Sequence, residues 1–373
     1  MRTDVLIIGQ GICGTFLSWW LEQAGLSFVV IDETRPFTAS KAAAGLINPV
    51  TGRRIVTTWM IDELLPFALE AYRQMGQALD ITCMKPTKLV DFFPTAQMRL
   101  AFLKRYEEDP SYLQLPPDEH AYNEFFRYGL GYGLISPCYL VNLPELLTAS
   151  RKRMLERGEL REERFDRADL IVEGSGKPGG RIEGGVRYRD ILARQVIFCD
   201  GIESFTNPYF SRLPFAPNKG EALIVEVPGL ARTQKSGSGD FQQVETVFKK
   251  GISMAPWKEE LYWVGASYEW AFDHGQPTAA FREKTEATLQ EWLKIPFRTV
   301  EHIASVRPAT LERRPFVGFH PLYPAVGILN GMGTKGCSLA PYFAHQLVQF
   351  ITKGIPIRPD AEVKRFNGIL SRN

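Results

Sequence analysis

The sequence predicts an α/β fold in which a doubly wound, mostly parallel sheet domain is interleaved along the chain with a second domain built on an antiparallel sheet. Three observations predict it. The chain opens on an apolar strand, a glycine-rich turn, a helix and a second apolar strand, in that order. Residues 219–273 alternate short strands with turns, the pattern of antiparallel pairing. Val196-Ile197-Phe198-Cys199-Asp200-Gly201 is another apolar run ending in glycine, which suits a strand returning to the first sheet.

Val5-Leu6-Ile7-Ile8 is continuously apolar, as expected of a parallel strand buried on both faces. Gly9-Gln10-Gly11-Ile12-Cys13-Gly14 follows at once, a helix runs to about Ala24, and Gly25 ends it. Phe28-Val29-Val30-Ile31 makes the second strand, with Asp32 at its end. Each position has a task. Gly9 permits the tight turn, Gly11 lets backbone amides approach a pyrophosphate, and Gly14 allows close helix–strand packing. Ile12 and Cys13 open the helix, whose unsatisfied N–H groups attract an anion. Asp32 is placed to accept hydrogen bonds from ribose hydroxyls. This is a Rossmann-like dinucleotide site. The next segment selects the dinucleotide. Thr38 to Pro49 is a run of small residues, including Ala43, Ala44 and Gly45, where a simple NAD domain begins another crossover helix. A flavin's ribityl chain and ring must pass the backbone here, so the sequence predicts FAD.

Further along, Met60 to Leu79 has the spacing of an amphipathic helix, with an irregularity expected at Pro66. Thr87 to about Tyr139 reads as part of the second, sheet-containing lobe. Asn142 to Arg157 looks helical, with Pro144 in the first turn. A strand is expected over Leu160 to Phe165 and polar turns over Gly174 to Gly185. Leu223 to Val225, Val244 to Phe248 and Leu261 to Tyr268 are the clearest later strands, and Phe281 to Leu293 and Leu339 to Thr352 the later helices. The expected division gives residues 1–80, 140–215 and 300–373 to the cofactor domain. Residues 81–139 and 216–299 go to the substrate domain.

Composition narrows the function. The 44 basic and 42 acidic residues give a net charge of +2, which argues against nucleic acid as a partner and for a small substrate. The five cysteines are scattered and the five histidines lie far apart, so no disulfide framework and no metal site is expected. No stretch has the apolar length of a membrane span, and the start lacks the features of a signal peptide. A cytoplasmic enzyme is the simplest reading.

These features together resemble the D-amino-acid oxidase superfamily of FAD-dependent oxidoreductases, in its glycine oxidase and sarcosine oxidase-like branch. The resemblance runs over nearly the whole chain. It rests on the fingerprint, the segment through Gly45 and Pro49, Cys199-Asp200-Gly201, Lys219-Gly220-Glu221, Trp263-Val264-Gly265-Ala266, Val306-Arg307-Pro308 and Gly331 to Gly336. It implies an FAD lobe and a substrate lobe whose antiparallel sheet roofs the flavin. It implies oxidation of the C–N bond of an amino acid or secondary amine by hydride transfer to flavin N5, giving an imine that hydrolyses. The electron acceptor would be oxygen or a quinone. Phe165, Asp200 and Gly201 would line the cofactor. The loop of Gly331, Gly333, Thr334, Lys335 and Gly336 would aim amides at the flavin's pyrimidine edge, where charge develops on reduction. Lys335 either adds a charge there or is a solvated loop lysine. Arg307 matches the arginine that grips the substrate carboxylate, its alternative being a structural ion pair.

The chain also departs from the family pattern. Ile252-Ser253-Met254-Ala255-Pro256 stands where relatives have a tyrosine shortly before a proline, and Thr334 replaces a second arginine. Asp200 occupies a position usually small and neutral. Glycine itself is therefore a doubtful substrate. No cysteine follows Arg307 where covalent flavin attaches in relatives, so noncovalent FAD is expected. Two alternatives stay open: an oxidase acting on a modified tRNA uridine, favoured by Ala44 to Pro49 with Arg53 and Arg54 behind it, and a flavin-binding protein without catalysis.

Overall fold

The structure, a computed structural model, describes residues 1–173, 185–230 and 245–372. Two large sheets organise it. In the first, the strand Arg2–Ile8 lies between Phe28–Ile31 and Ile191–Phe198 and is parallel to both. Leu160–Arg161 extends the sheet beyond Phe28–Ile31. The far edge of Ile191–Phe198 is shared, its first half pairing antiparallel with Val186–Tyr188 and its second half parallel with Val326–Asn330. Alternate residues explain the unbroken apolar run of the first strand. Val5 and Ile7 pack under the helices Ile12–Gln23, Ile61–Leu79, Leu143–Glu156 and Gly336–Lys353, while Leu6 and Ile8 face a second core around Phe198, Phe210 and Phe316.

The second sheet runs in the order Arg298–Arg307, Asn218–Glu226, Leu261–Gly265, Ile252–Lys258, Thr246–Lys250, Met84–Phe92, Tyr132–Val141 and Leu46–Ile47. It is antiparallel except where Thr246–Lys250 pairs parallel with Met84–Phe92, a departure from the purely antiparallel sheet expected. The chain reaches that pairing by a long connection rather than a hairpin, which frees the strand direction. The domain boundaries expected at 139/140 and 299/300 fall inside Tyr132–Val141 and Arg298–Arg307. Both strands keep to the second sheet along their length.

Most other elements lie close to expectation, and the differences have local causes. The helix Ile61–Leu79 passes through Pro66 without a break. Proline there deprives only the Asp62 carbonyl of its partner, and Asp62 faces solvent. The strand expected over Leu160 to Phe165 is only Leu160–Arg161, because the chain then turns through Asp166, whose side chain caps the following turn. The last helix begins at Gly336, inside the glycine loop, with the Ser338 hydroxyl donating to Lys335 O at 3.1 Å. Val244 and the turns expected from Gly174 to Arg181, with Ile182 to Gly184, lie outside the described residues.

Candidate cofactor and substrate site

The two sheets enclose a cavity of about 1290 Å³, larger than the ~300–1,000 Å³ of an ordinary small-ligand pocket. One wall stands at the carboxyl ends of the parallel strands, where open α/β sheets bind ligands. Pairing of the first two strands stops at Ile8 and Ile31, and the Gly9 amide donates to Ile31 O at 2.9 Å. Gly9 has φ +98°, and a Cβ there would stand 2.6 Å from Cys199 O, so no other residue fits the turn. Ser40 Oγ, from the small-residue segment, accepts from the Ile12 amide at 3.0 Å and so reaches the helix N-terminus.

Asp32 sits on the cavity wall with its carboxylate already oriented. The Gln10 amide donates to Oδ2 at 2.8 Å and Arg151 Nη1 to Oδ1 at 2.7 Å. Arg151 also donates to Asp32 O, Gln10 Oε1 and Glu162 Oε1, bracing the end of the second strand. Thr38 to Leu46 all face the cavity, first as the short helix Ala39–Ala42, then extended through Ala43 and Ala44 to Gly45. Trp263 Nε1 donates to Ala42 O at 3.0 Å and ties this segment to the second sheet.

Of the residues expected in the site, Gly9, Gly11, Ile12, Cys13, Asp32, Ala43, Ala44, Gly45, Phe165, Asp200, Gly201, Arg307, Gly333, Thr334 and Gly336 line the cavity. Gly14, Gly331 and Lys335 do not. Gly14 packs the helix against the turn, since a Cβ there would lie 1.9 Å from Gly9 O. Gly331 is backed by Thr310 and Phe316. Lys335 fits neither alternative drawn from the sequence. Its amine is buried beneath the wall and donates to Thr58 Oγ1 at 3.1 Å. Burial, reinforced by the neighbouring Arg313 charge, pushes its pKa down to about 8. Arg53 and Arg54 project from the exposed turn between Val50–Thr51 and Val56–Thr57, away from the cavity wall.

Asp200 is enclosed by protein but faces the cavity. Burial pushes its carboxyl up to about 6, although the Ser204 hydroxyl donates to it. Arg307 ends the edge strand of the second sheet, opposite Asn218. Its Nη1 donates to Asn218 Oδ1 at 2.6 Å, both terminal nitrogens reach Ser267 O at 3.3 Å, and the guanidinium lies 5.1 Å from the Tyr268 ring centre. Among the described residues no carboxylate lies within ion-pair distance of it, so the structural ion pair has no acid to form it. A Cβ at Gly220 would stand 1.8 Å from Arg307 Nη2, which makes that glycine the space in which the guanidinium rests. On the opposite sheet face, Lys219 and Glu221 pair at 2.9 Å in full burial. Burial favours the neutral Glu221, but hydrogen bonds from Lys219 and Thr278 outweigh it and hold the pKa below its usual value.

Sequence reasoning missed Gln10, Ser40, Arg151, Gly220 and Tyr268. Gln10 lies between two fingerprint glycines and Ser40 within the small-residue run, so both carried a positional signal. Arg151 carried none, being one of several cations on an amphipathic helix.

A dinucleotide cradle facing an antiparallel sheet defines the class: a flavin-type oxidoreductase. The family model described as FAD dependent oxidoreductase (DAO) matches residues 4–350, and the chain belongs to that family. It is therefore an FAD-dependent oxidoreductase of the amino acid and amine oxidase-like group. It is 24% identical over 370 residues to a glycine oxidase of Pseudomonas aeruginosa, covering 96% of this chain and 97% of that one. Among solved structures it resembles glycine oxidase from Geobacillus kaustophilus, with a TM-score of 0.73 at 18% identity over 95% of this chain and 96% of that one. It also resembles iminodiacetate oxidase from Chelativorans sp. BNC1, with a TM-score of 0.69 at 20% identity over 96% of this chain and 98% of that one. Among the described residues no helix is long and apolar enough to cross a membrane.

Proposed function

We propose that this enzyme oxidises the C–N bond of an amine that carries a carboxylate, an amino acid or a secondary amino acid. The observation that carries this reading is Arg307, a largely buried guanidinium on the cavity wall with no acid beside it among the described residues. Its planar fork suits a carboxylate, and a bidentate grip fixes the orientation of the attached carbon. Asn218 and the Ser267 carbonyl hold the fork from behind. The names of two relatives, a glycine oxidase and an iminodiacetate oxidase, point to carboxylate-bearing amines as well.

The first sheet and its helices form the cofactor lobe in this reading, and the second sheet forms the substrate lobe. The cavity fits FAD: Asp32 for the ribose, the helix N-terminus at Ile12 and Cys13 for the pyrophosphate, and Ala43 to Gly45 with Gly333 to Gly336 along the flavin. FAD, when bound, supplies a two-electron acceptor for the hydride lost from the carbon bearing nitrogen, and the imine left behind is hydrolysed by water. Cys13 and Cys337 line the same cavity, but burial pushes both thiols up to about 12. Thiols so protonated are poor nucleophiles, which supports noncovalent FAD.

The test compares an amino acid substrate with its decarboxylated amine in the wild type, Arg307→Ala and Arg307→Lys. Arg307→Ala is expected to lower kcat/KM for the acid by roughly 30- to 1,000-fold, about 2–4 kcal/mol of transition-state binding. The amine should respond far less, FAD content should hold, and Arg307→Lys should recover only part of the loss. Equal losses on acid and amine, or loss of FAD, would make Arg307 structural.

A further inference from the structure

We propose that the substrate carries an aromatic-sized apolar group, on the α-carbon or the nitrogen, held by Tyr268 on the cavity wall and by Trp270 beside it; this deepens the carboxylate-amine reading and rests on it. Both side chains are 54% exposed, and their rings meet edge to face with centres 5.6 Å apart. Large aromatic rings ordinarily bury most of their surface, so two contiguous exposed ones mark a contact that the described residues do not themselves supply.

Their placement is built rather than accidental. Glu269, between them, exchanges two backbone hydrogen bonds with Lys219, at 2.9 and 3.0 Å, and its carbonyl also accepts from Asn218 Nδ2 at 3.1 Å. The Ser267 amide donates to Glu221 O at 3.1 Å, and Ser267 Oγ accepts from the Glu221 amide at 3.0 Å. The backbone at Glu269 is thus pinned to the strand Asn218–Glu226, and the rings on either side of it meet edge to face. The Tyr268 ring lines the cavity and lies against the Arg307 guanidinium. A carboxylate held by Arg307 therefore starts its substituent within reach of that ring.

The sheet beneath is cleared to admit such a group. Ala222, Ser253, Ala255 and Gly265 face the cavity, and Gly265 pairs with both Ala222 and Ser253. A substrate as small as glycine would leave this space to water, whereas an apolar substituent would displace it. Aromatic faces also attract cations, but the Tyr268 ring already carries the Arg307 charge, and a second cation there would be repelled. Two half-exposed rings amount to roughly 200 Å², far below the ~800 Å² per side of a protein interface.

The experiment is anaerobic flavin bleaching of the holoenzyme with glycine, sarcosine, N-benzylglycine, and both enantiomers of alanine and phenylalanine. N-benzylglycine or one phenylalanine enantiomer is expected to exceed its methyl counterpart in the second-order rate constant of bleaching by at least about tenfold, the discrimination an apolar contact provides. Trp270→Ala should bring that ratio toward unity while leaving the methyl substrates within about twofold and FAD content unchanged, and Trp270→Phe should restore most of it. A preference for the small substrates, or a ratio unchanged in Trp270→Ala, overturns the aromatic subsite and leaves the carboxylate-amine reading intact. Bleaching by none of these carboxylates, with bleaching by decarboxylated amines, overturns that reading and this proposal with it.

Discussion

Asp200, Arg307 and Lys335 are three charged groups enclosed by the fold, and their neighbours give each a different consequence. Asp200 holds its proton more tightly in the folded protein than in the unfolded chain, because burial has raised its pKa from 3.8 to about 6. Its contribution to stability is therefore fully present below the unfolded value and is lost as pH rises through about 6. Asp200→Asn keeps the shape and the acceptor for Ser204 while removing the charge. It is expected to raise stability by about 1–2 kcal/mol at pH 8, after allowance for solvent reaching the cavity, and to have no such effect near pH 4. Denaturant melts of both proteins across that range would show it, and a constant difference would mean that Asp200 is not the titrating group. Among the described residues neither Arg307 nor Lys335 has an acid in ion-pair distance, and of the two only Arg307 faces the cavity. In the proposed reading, that difference separates a substrate contact from a buried support for the last glycine loop.

At the scale of elements, the pairing of Asn218–Glu226 with Arg298–Arg307 sets the cavity wall that carries Arg307. Register places Asn218 opposite Arg307, and the missing side chain at Gly220 gives the guanidinium its bed. Gly220→Ala pushes against the end of a flexible side chain rather than against backbone, so the strand should still fold. Displacement of the fork is expected to lower kcat/KM for the acid substrate by roughly tenfold or more, with FAD content preserved and the decarboxylated amine little affected. Unchanged acid kinetics in this variant would show that Arg307 does not hold the carboxylate from its present position. The strand Phe28–Ile31 performs the matching task on the wall made by the first sheet, delivering Asp32 between the Gln10 amide and Arg151.

Across the whole molecule, the cavity draws its walls from both sheets, so a ligand bound there bridges them. FAD should accordingly stabilise the protein as a unit, by about 2.7 kcal/mol at a free concentration of one hundred times Kd. Asp32→Ala removes charge-assisted hydrogen bonds worth about 1.5–3 kcal/mol, weakening FAD by roughly ten- to a hundredfold. The FAD-dependent rise in Tm should shrink to match. An undiminished rise in Asp32→Ala would take the ribose contact away from Asp32.

Features that depend on neighbours in sequence were legible from the sequence itself. The strand, glycine turn, helix and acid of the first βαβ unit are local, because backbone geometry and helix ends dictate residue types at fixed spacing. The small residues from Thr38 to Pro49 announced a close passage for the same reason. Tertiary structure alone decided what those residues face. It buried Lys335 against Thr58 and left Arg307 without an acid among the described residues, since a cation's partner is chosen by elements distant in the chain. It kept Arg298–Arg307 in the second sheet, where the ladder to Asn218–Glu226 outweighs any local boundary signal. It brought Arg151 to Asp32, and set Tyr268 against Arg307 with Trp270 beside it, on either side of a Glu269 clamped to Lys219. Periodicity records which side of an element is apolar; only the packing of elements fixes which polar groups meet, and there the site acquires its chemistry.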